Sequence, residues 1–187
     1  MALNLVSLDA GVREAMVGEF ERDHAAGMIF LSSRLTATGR KDYPGLLREA
    51  LVSGDDDALA HALSQARRLE NHETQIKNES KAVTKNVPSN AASLITEGDF
   101  NRFYIRGLCV RAIKAGIAEV EVYRAKEVSE PRAESEALIG RRFVPADLLR
   151  DLRAHGRSAT GARRTRWAEH RYQRQISDAL SGTEQLR

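Results

Sequence analysis

The hydrophobic positions recur at helical spacing through most of the chain. Val12, Met16 and Phe20 fall every four residues behind Asp9, a residue suited to capping a helix N-terminus, and Gly27 ends or bends this first helix. Met28 to Leu31 is a short apolar run that fits a buried strand as well as a helix continuation. Thr36 to Lys41 reads as a loop, and Asp42 with Pro44 reads as the start of a second helix whose buried face is Leu46, Leu47, Ala50 and Leu51. Gly54 stops it. Asp55, Asp56 and Asp57 then place negative charge at the next helix N-terminus, where the macrodipole favours it. A stripe of Leu59, Ala62, Leu63, Ala66 and Leu69 follows, so the two helices form a hairpin with a short turn.

The pattern fails between Asn71 and Asn90, which are rich in Asn, Lys, Ser and Thr; this stretch reads as an extended linker or surface arm. Ser89 can cap a short helix through Ile95. Asp99 then reads as the cap of a helix from Phe100 to Ala115, with Gly116 at the position after its C-cap. Phe100, Phe103, Tyr104, Leu108, Cys109, Ala112 and Ile113 cover more than half of that helix's circumference, which predicts a core element. Val120 to Ala125 alternates and is β-branched, the best strand pattern in the chain, and Leu138-Ile139 before Gly140 suggests a second short strand. A helix is expected over Ala146 to Arg153. The last is expected over Arg163 to Leu180, polar except for Trp167, Tyr172, Ile176 and Leu180.

These elements predict a mainly α protein: a helical core, a small β element and an Arg-rich helical C-terminal arm. The regions are 1–70 (helical), 71–90 (polar linker or arm), 91–155 (helix plus β element) and 156–187 (basic arm). At 187 residues and 42% hydrophobic content, the chain is long enough to bury a core of its own. The charge changes the picture. The net value is only +3, but Arg141 to Arg174 holds ten arginines against Asp147, Asp151 and Glu169, that is 10 − 3 = +7. Such asymmetry calls for an anionic partner, either nucleic acid or an acidic protein surface. Arg157, Arg163, Arg164, Arg166, Arg171 and Arg174, interleaved with Trp167 and Tyr172, form the candidate binding segment. Guanidinium groups clamp phosphates in bidentate fashion and aromatic rings stack on bases. A solvated helix, or an arm seated on a protein neighbour, has the same composition.

Catalytic signals are sparse. The five histidines, His24, His61, His72, His155 and His170, show no metal-ligand spacing, and the three successive aspartates lack the glycine and terminal glutamate of a calcium loop. No phosphate-binding glycine motif or nucleophile elbow occurs. Cys109, the only cysteine, lies in an apolar stripe, as an inert buried thiol does. No cofactor, metal or catalytic residue is therefore expected. The N-terminus has no basic region leading into a long apolar run, and no apolar run spans a bilayer, which predicts a protein of the cytoplasm or of a particle assembled there.

Two resemblances bear on function. Arg124 with the later Glu134-Ser135-Glu136 resembles the arginine and Glu-x-Glu elements of ADP-ribosyltransferases, which would imply a bound nicotinamide dinucleotide. The Ser-Thr-Ser strand of that family does not lie between them. The block Gly98 to Cys109 (GDFNRFYIRGLC), with Val122 to Lys126 (VYRAK) and Glu134 to Gly140 (ESEALIG), resembles small proteins of tailed-bacteriophage genomes, some of which lie among virion structural genes. That likeness covers about a quarter of the chain and carries no catalytic residues. It implies a structural or assembly role in the head, neck or connector region, with sister subunits or other virion proteins as partners and DNA as a further one. A nucleic-acid-binding regulator outside any particle is the alternative, and an ADP-ribosyltransferase-like enzyme the third reading.

Overall fold

A computed structural model of the chain describes residues 3–65, 67–77, 81–126, 138–154 and 175–178. The fold is mainly helical with small β elements. In chain order the helices are α1 (Ala10–Ala25), α2 (Ala37–Ser53), α3 (Asp56–Ser64), α4 (Ala91–Lys114) and α5 (Pro145–Ala154). The strands are β1 (His72–Lys77), β2 (Lys81–Asn86), β3 (Val120–Tyr123), β4 (Arg142–Phe143) and β5 (Gln175–Asp178). Among the described residues no helix is long and apolar enough to cross a membrane.

α4 is the axis of the molecule, packed by α1, α2, α3 and α5. Its buried residues run around the whole circumference and include Phe100, Phe103, Tyr104, Leu108, Cys109 and Ala112, whereas Ile113 stays exposed. α1 crosses it at very close range. A Cβ on Gly107 would lie 2.6 Å from Met16 Cγ and 3.0 Å from the Val12 carbonyl oxygen, so only glycine lets the two backbones meet there. The apolar stripe Val12, Met16 and Phe20 is buried at this crossing, and Phe20 meets Phe103 edge to face at 5.8 Å. The Asp9 carboxylate caps α1 by accepting the Val12 N–H at 2.7 Å, as its position predicts. α4 ends in the expected glycine motif. Gly116 sits at φ +70°, its N–H donates to Ile113 O, and the Ile117 N–H donates to Ala112 O.

Several boundaries differ from the sequence pattern. α2 begins at Ala37 rather than at Asp42, because Thr36 is the cap: its hydroxyl accepts the Gly39 N–H at 3.0 Å and donates to Arg67 O. Pro44 lies inside the helix, and the Asp42 carboxylate accepts instead from Arg68 Nε. Ser89 and Asp99 do not delimit two helices. α4 begins at Ala91, two residues after Ser89, and runs unbroken through Asp99, whose carboxylate, taken out of its capping role, accepts the Tyr43 hydroxyl at 2.8 Å. α3 stops at Ser64, and Leu69 forms a bridge with Leu35 instead of a further helical turn. Met28 to Leu31 is neither strand nor helix.

The polar stretch 71–90 contains an antiparallel hairpin, β1 with β2, in the register Glu73↔Lys85 and Gln75↔Val83. A second sheet has the order β4-β3-β5, all antiparallel, with Val120 and Val122 of β3 buried towards the core. β3 matches the predicted strand. Its partner is Arg142–Phe143, while Leu138, Ile139 and Gly140 form the preceding turn, with Gly140 at φ +76°. Gln175–Asp178, expected inside the terminal helix, is instead the third strand and aligns Ile176 with Val122. A short N-terminal strap crosses this side. Leu3 N–H donates to the Asp56 carboxylate, Asn4 N–H to Ala125 O, and Val6 N–H to the Tyr123 hydroxyl, while the Tyr104 hydroxyl donates to Val6 O.

Candidate functional site

α4 contributes two buried arginines, Arg102 and Arg106, and Arg106 lies among carboxylates of α1. Arg106, 1% exposed, donates from Nε to Glu19 Oε2 at 2.8 Å and grips Asp23 through Nη1 and Nη2 at 2.6 and 2.9 Å. Arg153 of α5 reaches the same Glu19, with Nε to Oε2 at 3.0 Å and Nη2 on Oε1. One carboxylate of α1 thus ties α4 and α5 together. Burial alone would raise the Glu19 carboxyl, but the hydrogen bonds and charges of Arg153 and Arg106 outweigh it and hold the group below its ordinary range. Burial works against the Arg106 charge as well, and Asp23 and Glu19 more than offset it, so the guanidinium is held still more firmly protonated.

Seven residues before Arg106 a second group begins. Asp99, Asn101 and Arg102 are buried, with Tyr43 of α2 donating to Asp99. The Arg102 guanidinium lies 4.8 Å from the Phe103 ring centroid and its Nη2 is 3.7 Å from Asp99 Oδ1. Charges in the first group balance: Arg106 and Arg153 face Glu19 and Asp23. Such an arrangement clamps helices.

Other candidates resolve into structural roles. Asp55 caps α3 by accepting the Ala58 N–H at 2.7 Å. Asp56, 1% exposed, accepts from Leu3, and burial pushes its carboxyl up despite that bond. His24 stacks on Phe20 at 5.5 Å, while His61 and His72 are exposed. Among the described residues no group of three or more His, Cys, Asp or Glu side chains converges as a metal site. Cys109 is buried in the core.

The predicted binding residues Arg157, Arg163, Arg164, Arg166, Trp167, Arg171, Tyr172 and Arg174 lie outside the described residues, as do Glu134 and Glu136 of the Glu-x-Glu element. From the predicted basic stretch the structure places Arg141, Arg142, Arg150 and Arg153. Arg142 pairs with Glu121, Arg150 with Asp147 on an exposed helix turn, and Arg153 with Glu19. Three arginines of that stretch are thereby engaged within the fold. Sequence reasoning missed the Glu19–Asp23–Arg106–Arg153 group. Only the Arg106 end of it could be read from sequence: Arg106 lies within a helix whose apolar residues already demand burial, so a buried arginine there needs carboxylate partners. No family model matches this chain, nor does any curated protein or solved structure.

Proposed function

We propose that the protein works by binding rather than catalysis, as a structural or assembly component of a tailed-phage particle that contacts sister subunits, with DNA as a further partner of its basic segment. The observation that carries this reading is the β1–β2 hairpin. Its strands pack chiefly on each other rather than on the helical body, and most of its described side chains are exposed. It is tethered at its base by the Arg34–Glu73 ion pair at 2.6 Å, the Glu70 N–H to Arg34 O bond and the Leu35↔Leu69 bridge. A two-stranded hairpin is marginally stable by itself in water, and a projecting polar arm suits a chain that completes its fold against a neighbour. The sequence likeness to virion-gene products and the +7 stretch from Arg141 to Arg174 point the same way.

Sedimentation of the intact protein across its soluble concentration range, with and without duplex DNA, tests the proposal. Mass that grows with concentration is expected. A strict monomer under both conditions would refute it.

A further inference from the structure

We infer that residues 3–6 exchange between two copies of this chain, the strap of each seating in the groove of the other about a twofold axis. The inference rests on the assembly reading above and names the surface that carries it.

The groove is built from the end of β3, from α4 and from the start of α3. Leu3 N–H donates to the Asp56 carboxylate at 3.2 Å, Asn4 N–H to Ala125 O at 2.8 Å and Val6 N–H to the Tyr123 hydroxyl at 3.0 Å. In return, Asn4 O accepts from the Tyr123 hydroxyl and Val6 O from that of Tyr104. Leu5 packs against the core between them. Asp56, Tyr104 and Ala125 are buried members of the body, not of the strap. Each of these bonds engages strap backbone, so the groove holds an extended segment whichever copy supplies it. Residues 3–6 of a second copy reproduce every contact, which makes the chain itself the occupant that fits.

The hinge supplies the reason to exchange. The turn that folds the strap back onto its own body passes through Ser7 at φ +66°, a left-handed conformation disfavoured for a residue with a Cβ. Asp9 already caps α1, so only Ser7 and Leu8 separate strap from helix. A short hinge under strain invites swapping: extending Ser7 relieves the turn, and the groove contacts are regained on the neighbour. The three steps from Val6 to Asp9 reach at most about 10 Å. The twofold axis therefore runs close to Ser7, and the two copies meet at the N-terminal ends of their α1 helices.

The test uses the full chain. The wild type is expected to dimerise reversibly. Ser7→Gly tolerates the left-handed turn and favours the closed monomer, so it should raise the dimer dissociation constant at least about tenfold, the hinge counting twice per dimer. Ser7→Pro fixes φ at about −65° and forbids the turn, so it should shift the same equilibrium the other way by a similar factor. A residue that merely supported the fold would not move association in opposite directions. Cross-linking reads the exchange directly. Asn4 and Ala125 are joined by a backbone hydrogen bond and lie within disulfide reach, and the native Cys109 is buried. A chain with Asn4→Cys, equilibrated with a chain with Ala125→Cys and oxidised, should give a covalent heterodimer, which closed monomers cannot form. With both substitutions in one chain, the bond should join two chains. A bond confined to single chains, or shifts of one sign at Ser7, would overturn the exchange while wild-type assembly still stood. A wild-type chain that stays monomeric throughout, with DNA or without, would remove both.

Discussion

Arg106 holds Asp23 by two hydrogen bonds, Nη1 to Oδ2 at 2.6 Å and Nη2 to Oδ1 at 2.9 Å, across 83 residues of sequence and almost out of reach of solvent. The planar fork of a guanidinium matches a carboxylate in this geometry, which fixes the register of α1 on α4 as well as neutralising both charges. Removing one partner leaves the other charged and buried. Asp23→Ala should therefore destabilise by about 3–5 kcal/mol, and Arg106→Leu by a similar amount. Combining them should cost clearly less than the sum of the two, because no orphan charge remains. A double-mutant cycle in urea measures this coupling. Additive effects would show that Asp23 and Arg106 do not act as a pair.

The α1–α4 crossing makes a steric prediction. Gly107→Ala places a methyl group at 2.6 Å from Met16 Cγ and 3.0 Å from backbone of α1, so it should destabilise by about 1–3 kcal/mol despite the better helix propensity of alanine. Phe103→Ala and Leu108→Ala, at fully buried positions of the same helix, should cost about 2–5 kcal/mol each. Thermal unfolding of the three variants checks the order. A stabilised Gly107→Ala would mean that the helices sit further apart than described.

How much of this was legible in the sequence depended on the range of the interaction. Asp9 and Gly116 were readable because a cap is satisfied by the next few residues, and Phe103 because helical periodicity alone places it on the buried face. Asp42 and Asp99 looked like caps for the same local reason and were misread. Their carboxylates are used by Arg68 and Tyr43, which are 26 and 56 residues away. The hairpin at 72–86 was hidden because it is polar on both faces, so no alternation marks the strands. Glu19 and Asp23 carry no local mark of burial, and Arg153 falls in the basic stretch that calls for an anionic partner. Nothing near them in sequence shows that Arg106, buried inside α4, is their common partner.

Acid should loosen the same clamp. The Glu19 carboxyl lies below its ordinary value of 4.5 when folded, so it contributes stability that is complete above that value and is lost as the pH falls through the lower, folded one. Asp56 works in the opposite sense. Its carboxyl is raised by burial, so its contribution favours the folded state at low pH and declines as the pH rises through the folded value. Glu19→Gln should lower stability at neutral pH, since Arg106 and Arg153 lose their shared anion, and should flatten the acid limb. Asp56→Asn should steepen that limb instead. Denaturation midpoints measured from neutral to acid pH distinguish them, and parallel curves for Glu19→Gln and wild type would rule out the clamp as the acid-sensitive element.

The basic segment carries the last prediction, and the fold decides how to test it. Ending the chain at His155 would remove every candidate binding residue, but it would also remove β5, whose Ile176 aligns with the buried Val122 of β3. Lost binding in such a truncation would not separate a missing contact from a damaged sheet. Replacing Arg163, Arg164, Arg166, Arg171 and Arg174 together by Gln keeps Gln175–Asp178 in place and removes five positive charges. If the segment binds DNA, affinity for duplex should fall steeply with salt in the wild type, with a slope of about −0.9 per phosphate neutralised, and the substituted chain should show a much shallower slope. Binding should be nearly independent of sequence, since phosphate contacts position a protein without reading bases. If the segment seats on an acidic protein surface instead, both chains should bind DNA weakly, and the substituted one should lose concentration-dependent mass. Filter binding at two salt concentrations, read beside sedimentation, distinguishes these outcomes. Equal DNA affinity, equal salt slope and equal assembly in the two chains would exclude the arginines from both roles.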